Sequence, residues 1–286
     1  MSKIALSVVM PVRDMEHVLP CQLNALSRQE LGDSWELIVV DDGSVDDTAA
    51  VARGWLGSFE RLILVRQARA GGAAAARNLG IEHAAGETVA FCDGDDIVAS
   101  GWLCALARAA RCHPIVAGRI VVADRAGRAF AAPDPAPNGR LIEPFGFLPF
   151  ALTANLAVRR SVLAELGGFG AMPDGGEDVD LSWRAQLAGH SIRHEPNAVV
   201  TKRLCRSYPR EWSRYLHYGI ADAALYQRFR QFGMPRRSLF AHVTAIARNL
   251  RPALRGDSSA RYIVTRASGK QVGRLIGSLR YGVWYT

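Results

Sequence analysis

The sequence predicts an α/β fold: a mixed, mostly parallel sheet between helices, followed by a helical C-terminal extension. Three observations carry that reading. The first hundred residues alternate short β-branched runs with helical stretches, the pattern of a helix-covered parallel sheet. The candidate strands are near-continuously apolar, as strands buried on both faces should be. Beyond Pro209 the chain becomes mostly helical, with Arg interleaved among Leu, Ala, Tyr and Phe.

In chain order, strands are expected at 4–10, 36–41, 61–65 and 88–92, joined by helices long enough for right-handed crossovers. The second helix starts at Asp46 or Asp47, where a side-chain oxygen can cap free N–H groups. The third starts at Gly71-Gly72, and its run from Ala73 to Ala76 lets it lie close to the sheet. Ser100 is the expected cap of the next. After about residue 113 the pattern changes to short strands and turns, with a loop at Pro133, Pro135, Pro137 and Gly139 and antiparallel strands at the sheet edge. Helix returns at 177–187, strands follow at 191–194 and 198–201, and helical runs cover 212–232 and 239–250. The expected division is a catalytic domain over 1–205 and a basic, mostly helical extension over 206–286.

The bulk numbers suit an ordinary folded protein: 286 residues, 49% hydrophobic and 22% charged. No apolar run reaches the roughly 18 residues of a membrane span, and Met1-Ser2-Lys3-Ile4 leads straight into a strand, so a cytoplasmic chain is expected. Five cysteines without a C-x-x-C pair suggest buried reduced thiols, neither a disulfide framework nor a zinc cluster. The net charge of +8 is split: residues 1–201 carry −6 and residues 202–286 carry +14. An Arg-rich, Trp- and Tyr-bearing tail suggests an anionic partner, such as a membrane surface at which the chain would sit peripherally.

Four constellations fall near the carboxyl ends of expected strands, where open α/β sheets place ligands. Val8-Val9-Met10-Pro11-Val12-Arg13-Asp14 closes the first strand, and Val39-Val40-Asp41-Asp42-Gly43-Ser44 closes the second. A carboxylate before Gly-Ser can accept hydrogen bonds from a base or ribose while the turn stays close to the ligand. Gly71-Gly72 with Arg77-Asn78-Leu79-Gly80 can present N–H groups and a guanidinium to a diphosphate. Neither G-x-G-x-x-G nor G-K-[ST] is present. Phe91-Cys92-Asp93-Gly94-Asp95-Asp96 clusters three carboxylates, which repel one another unless a cation or donors occupy the site. Oxygen ligands beside a diphosphate suit Mg²⁺ or Mn²⁺. Further on, Asp174-Gly175-Gly176-Glu177-Asp178-Val179-Asp180 opens a helix; its carboxylates suit the helix dipole, and one could serve as a general base.

In this order the motifs resemble the family-2 glycosyltransferases, over roughly residues 4–205. The resemblance implies a GT-A fold in which Pro11, Val12, Asp14 and Asp42 surround the base and ribose and Arg77 lies near the nucleotide. It implies that Asp93 and Asp95 form the D-x-D motif, with Asp95 the direct metal ligand, Asp93 shared with the ribose, and Gly94 between them at the nucleotide. Asp178 matches the second residue of the Glu-Asp pair, the candidate base, with Glu177 and Asp180 as fallbacks. Asn155, Trp183 and Arg184 are expected at the acceptor or sugar pocket. Many relatives carry His after the last strand of this domain, where this chain has Lys202.

The expected activity is transfer of a sugar, with inversion, from a UDP- or dTDP-sugar to a hydroxyl of a glycan or lipid-linked acceptor. A catalytically idle sugar-nucleotide-binding scaffold is the alternative.

Overall fold

In this computed structural model, residues 4–123, 129–130, 141, 143, 145–172, 174–203, 207–236 and 240–285 are described. The loop expected at Pro133, Pro135, Pro137 and Gly139, and Cys205, lie outside them. The chain forms two compact units, one of Met1–Ile142, Pro149–Ala171 and Glu177–Leu204, the other of Glu143–Leu148, Met172–Gly176 and Cys205–Thr286. A single boundary near residue 205 therefore misses two short segments of the second unit. Charge and ring contacts tie them there: Phe145 lies 5.7 Å from Lys270 Nζ, and Asp174 binds His217 and Arg280.

The first unit runs β1 (Leu6–Val12), α1 (Leu19–Leu26), β2 (Trp35–Asp41), α2 (Thr48–Arg53), β3 (Leu62–Arg66), α3 (Ala73–His83), β4 (Thr88–Cys92), β5 (Ile97–Val98) and α4 (Trp102–Cys112). It continues with β6 (Ile115–Ala123), β7 (Ala129–Phe130), β8 (Asn155–Arg159), α5 (Arg160–Leu166), α6 (Glu177–Leu187) and β9 (Ile192–Arg203). The strands form one sheet in the order β3-β2-β1-β4-β8-β6-β9-β5, with β7 against β6.

Alternation along β1 builds two cores. Val8 and Met10 pack with Leu19 and Leu23 of α1 and with Trp102 and Leu106 of α4; Val9 packs on the other face with Ala76 of α3, Leu163 of α5 and Leu181 of α6. No residue of β3 is fully buried, because an outermost strand has a neighbour on one side alone.

Three local expectations are corrected. The antiparallel strand β8 is interior, between β4 and β6, because its polarity is set by its connections and its buried side chains suit a central place. The strands expected at 191–194 and 198–201 are one strand, β9, whose Glu195-Pro196-Asn197 stretch passes the register shift at Gly118/Arg119 of β6. Ser100 does not cap α4: the helix begins two residues later, behind Gly101 in the left-handed region. Asp46, by contrast, accepts from Thr48 N at 3.0 Å at the start of α2.

The second unit is built on α7 (Tyr208–Phe229), α8 (Phe240–Leu254) and α9 (Ser258–Tyr281). Asp257 caps α9 by accepting from Ser259 N and Ala260 N at 2.8 and 3.0 Å. Gly269, Gly273 and Gly277 recur every fourth residue and let α9 touch α7 backbone to backbone; a Cβ on Gly273 would collide with the Leu216 carbonyl. Buried Asp222 receives Arg274 at 2.7 Å and Lys270 at 3.2 Å, and buried Glu211 receives Arg214 and Arg266 at 3.0 and 3.1 Å.

Among the described residues no helix is long and apolar enough to cross a membrane. Free Cys92 is buried as expected, but Cys21, Cys104 and Cys112 are exposed, lying on outward faces of α1 and α4.

Candidate active site

At the carboxyl ends of β1 and β2 the two expected motifs brace each other. Asp14, at φ 50, is held by donation from its N–H to Ser44 Oγ and by acceptance from Val45 N at 2.9 Å. Thr48 Oγ1 accepts from Met15 N, and Glu16 accepts from Asp47 N. Asp41, fully buried, receives Ser44 N and the Arg66 guanidinium. Asp42 is buried and accepts from Gly71 N at 2.6 Å and Gly72 N at 2.9 Å, so it pins the start of α3 to the end of β2.

That pin sets α3, and α3 sets Arg77. Gly80 lies flat on Val9, while Asn78 exchanges two hydrogen bonds with the Phe169 backbone. Beside Asn78, buried Arg77 donates to Glu177 Oε1 at 2.8 Å and to Asp93 Oδ1 at 3.1 Å. One guanidinium thus joins the acidic start of α6 to the acidic turn after β4.

That turn is anchored on both sides. Gln22 of α1 donates to Asp93 O and accepts from Val98 N, and β5 pairs Ile97 with Thr201. Gly94 is required by close approach: a Cβ there would sit 2.7 Å from Val12 Cγ1. Val12 is buried and Pro11 half-buried beneath the turn.

Asp93, Asp95 and Asp96 each offer an oxygen within 4.8 Å of the others. Lys202, near the end of β9, donates to Asp93 Oδ2 at 3.2 Å and to Asp96 Oδ2 at 3.1 Å. Burial alone would raise Asp93, but Lys202 and Arg77 hold it below the usual carboxylate range. Burial pushes Asp96 up despite the lysine, and Lys202 is held protonated by Asp93 and Asp96 in spite of its own burial. Asp96 Oδ1 is buried with no hydrogen-bond partner among the described residues. Asp95 is exposed. An orphaned buried carboxylate oxygen beside an exposed carboxylate fits a cation, so this donor set suits a divalent metal.

Asp178 opens α6 next to Glu177. Burial and then the Glu177 carboxylate push it up to about 7, against acceptance from Val179 N at 2.8 Å.

The remaining expected residues are tied into the surrounding structure. Asn155 accepts from Trp102 Nε1 and donates to Arg119 O and Ala198 O, stitching β8 to β6 and β9. Trp183 is fully buried. Arg184 donates to Leu166 O, Gly168 O and Asp180, and Asp180 is itself buried in this i,i+4 ion pair. Gln22 went unnoticed in the sequence because a lone glutamine on an amphipathic helix carries no motif. A concavity of about 680 Å³ lies at the opposite ends of β1 and β4 beside Arg111, Arg159 and Arg160, away from the acidic cluster.

Comparison with known proteins accords with this geometry. The sequence profile described as Glycosyl transferase family 2 matches residues 7–167. The chain is 30% identical over 230 residues to the pre-mycofactocin glycosyltransferase of Mycobacterium tuberculosis, covering 74% of this chain and 47% of that protein. It is 32% identical over 191 residues to glycosyltransferase AglE of Haloferax volcanii, covering 65% and 62%. The chain thus spans about half to three-fifths of the length of these relatives. Among solved structures, the mannosyltransferase PcManGT of Pyrobaculum calidifontis, in complex with GDP-Man and Mn²⁺, superposes with a TM-score of 0.66 at 19% identity over 97% of this chain and 90% of that one. TarS of S. aureus with UDP-GlcNAc gives 0.58 at 18% identity over 99% and 93%. These likenesses show a GT-A fold.

Proposed function

Because this chain belongs to glycosyltransferase family 2, we propose that it transfers a sugar, with inversion, from a nucleoside diphosphate donor to an acceptor hydroxyl, using Asp178 as general base. The observation that carries this is Arg77, whose two ion pairs put the start of α6 and the acidic turn after β4 at one site. Base and diphosphate-binding groups are then neighbours.

In the proposed reaction the Asp178 carboxylate takes the acceptor hydroxyl proton. The oxygen bonds to the anomeric carbon from the face opposite the leaving group, and the C1–O bond electrons depart on the diphosphate. A carboxyl titrating near neutrality is matched to that task. Arg77 and Lys202 offer positive charge to the leaving group. Asp95, with Asp93 and Asp96, would hold Mn²⁺ or Mg²⁺, which adds charge neutralisation of the diphosphate. Pro11, Val12, Asp14, Asp42 and Gly94 form the nucleotide side of the cleft in this reading, Asp42 by fixing Gly71 and Gly72. Glu177 orients Arg77.

We assign a UDP- or dTDP-sugar as donor and a glycan or lipid-linked alcohol as acceptor, met at the inner face of a membrane. Thermal-shift screening of nucleotide sugars with and without Mn²⁺, GDP-sugars included, tests the donor, since a ligand of the folded state raises its apparent stability. Release of nucleoside diphosphate then tests turnover. A second reading, a sugar-nucleotide-binding scaffold, is favoured by one observation: Lys202 already neutralises two of the three clustered carboxylates. Donor binding without any release of nucleoside diphosphate would select it.

A further inference from the structure

The second unit carries two unpartnered apolar stripes on helices whose exposed charges are almost all positive. On α8, Val243, Leu250 and Leu254 are exposed at intervals of seven and four, which align on one helical face. On α9, Leu275, Ile276 and Leu279 do the same near its C-terminal end. Leu254 is 76% and Leu279 85% exposed, values at which a leucine gains nothing from the fold. Trp284, 61% exposed, follows α9 directly.

The charges beside these stripes choose the occupant. Residues 240–285 contain seven arginines and Lys270 against Asp257 alone, and the Asp257 carboxylate is spent capping α9. Arg248 and Arg251 are exposed on α8, Arg255 directly after it, and Arg280, paired with Asp174, on α9. A second copy of this chain would bring like charge against like charge. An anionic lipid surface satisfies both features at once: aliphatic side chains and an indole enter the boundary of the acyl chains, while arginines stay at the phosphates.

We propose that α8 and α9 form an interfacial docking face for an anionic lipid bilayer. Neither helix needs to insert, in keeping with their many charges. The face carries the chain to lipid-borne substrates, and its binding requires no nucleotide, metal or turnover.

The test is co-sedimentation of the full chain with vesicles of phosphatidylglycerol and phosphatidylcholine, and with vesicles of phosphatidylcholine alone. Binding is expected to the anionic vesicles only and to weaken as salt is added. Leu254→Ser with Leu279→Ser should weaken it roughly tenfold or more, and Arg251→Gln roughly fivefold, with thermal melts unchanged because these side chains are exposed. Absence of vesicle binding at low salt, or wild-type binding by the double leucine variant, overturns the proposal. So does a concentration-dependent dimer that the leucine changes dissolve while vesicles capture nothing. As no donor is present, failure here leaves the transferase reading untouched, and failure of turnover leaves this one untouched.

Discussion

The two units bury charge in opposite proportions. At the edge of the sheet in the first unit, Asp93, Asp95, Asp96, Glu177 and Asp178 face two cations, Arg77 and Lys202. In the helical unit Asp222 and Glu211 are each served by two cations. Where cations are in surplus, each of these carboxylates has two charged partners and the arrangement is a fastening. Where carboxylates are in surplus, two acids are pushed upward, and the arrangement can accept a proton or a cation from outside.

The sharpest way to break this contrast is to remove one acid from each side. Asp178→Asn should lower turnover by about 10²–10⁴-fold while the donor still raises the melting temperature; unchanged turnover would remove Asp178 from the mechanism. Asp222→Ala should leave Arg274 and Lys270 buried without their carboxylate and cost about 3–5 kcal/mol in chemical denaturation. A loss below about 1 kcal/mol would make that pair no fastening.

A change at Lys202 sharpens the comparison by moving the first site further toward acid excess. Lys202→Ala should tighten Mn²⁺ binding roughly tenfold, as one unit of opposing charge near the ligands is lost, and weaken nucleotide binding in the absence of metal. Calorimetric titration of each ligand reads both effects, and weaker Mn²⁺ binding would show the lysine to be a scaffold for the carboxylates.

The smallest effect is one of pH. The folded state raises Asp178 from its ordinary value to about 7, so it binds that proton more tightly than the unfolded chain does. Its contribution to stability is therefore present at low pH and is lost as pH rises from about 4 through about 7. Asp178→Asn should melt higher than wild type at pH 8 and no higher at pH 4. Wild-type kcat/KM should rise across the same neutral range, with a midpoint near 7, and a flat profile there would argue for another base.

Much of this was legible in the sequence because strand ends carry contiguous motifs. The turn after β4 and the acidic opening of α6 follow from runs of carboxylate and glycine next to apolar segments, and both stand where the pattern put them. What could not be read is which member of a motif points outward. Asp178 and Asp180 are two residues apart, yet one lies beside Glu177 at the site and the other is buried on Arg184. That distinction depends on the helix's rotation against the sheet. The bonds of Asn155 to Trp102, Arg119 and Ala198 could not be read either, because three different elements bring those partners to it. Lys202 signalled a departure from the family pattern, but only the register of β9 against β6 and β5 brings it to Asp93 and Asp96.

The interior place of β8 has a consequence for how the molecule is made. Asp93 and Asp96 follow β4 early in the chain, but their lysine lies 109 and 106 residues later, on β9, which comes after β8 in the sequence. During synthesis the acidic turn therefore waits, hydrated and mutually repelling, while a further third of the chain emerges. Arrival of β9 ends that wait, so the acidic turn gains its balancing charge only after the rest of the sheet has been made.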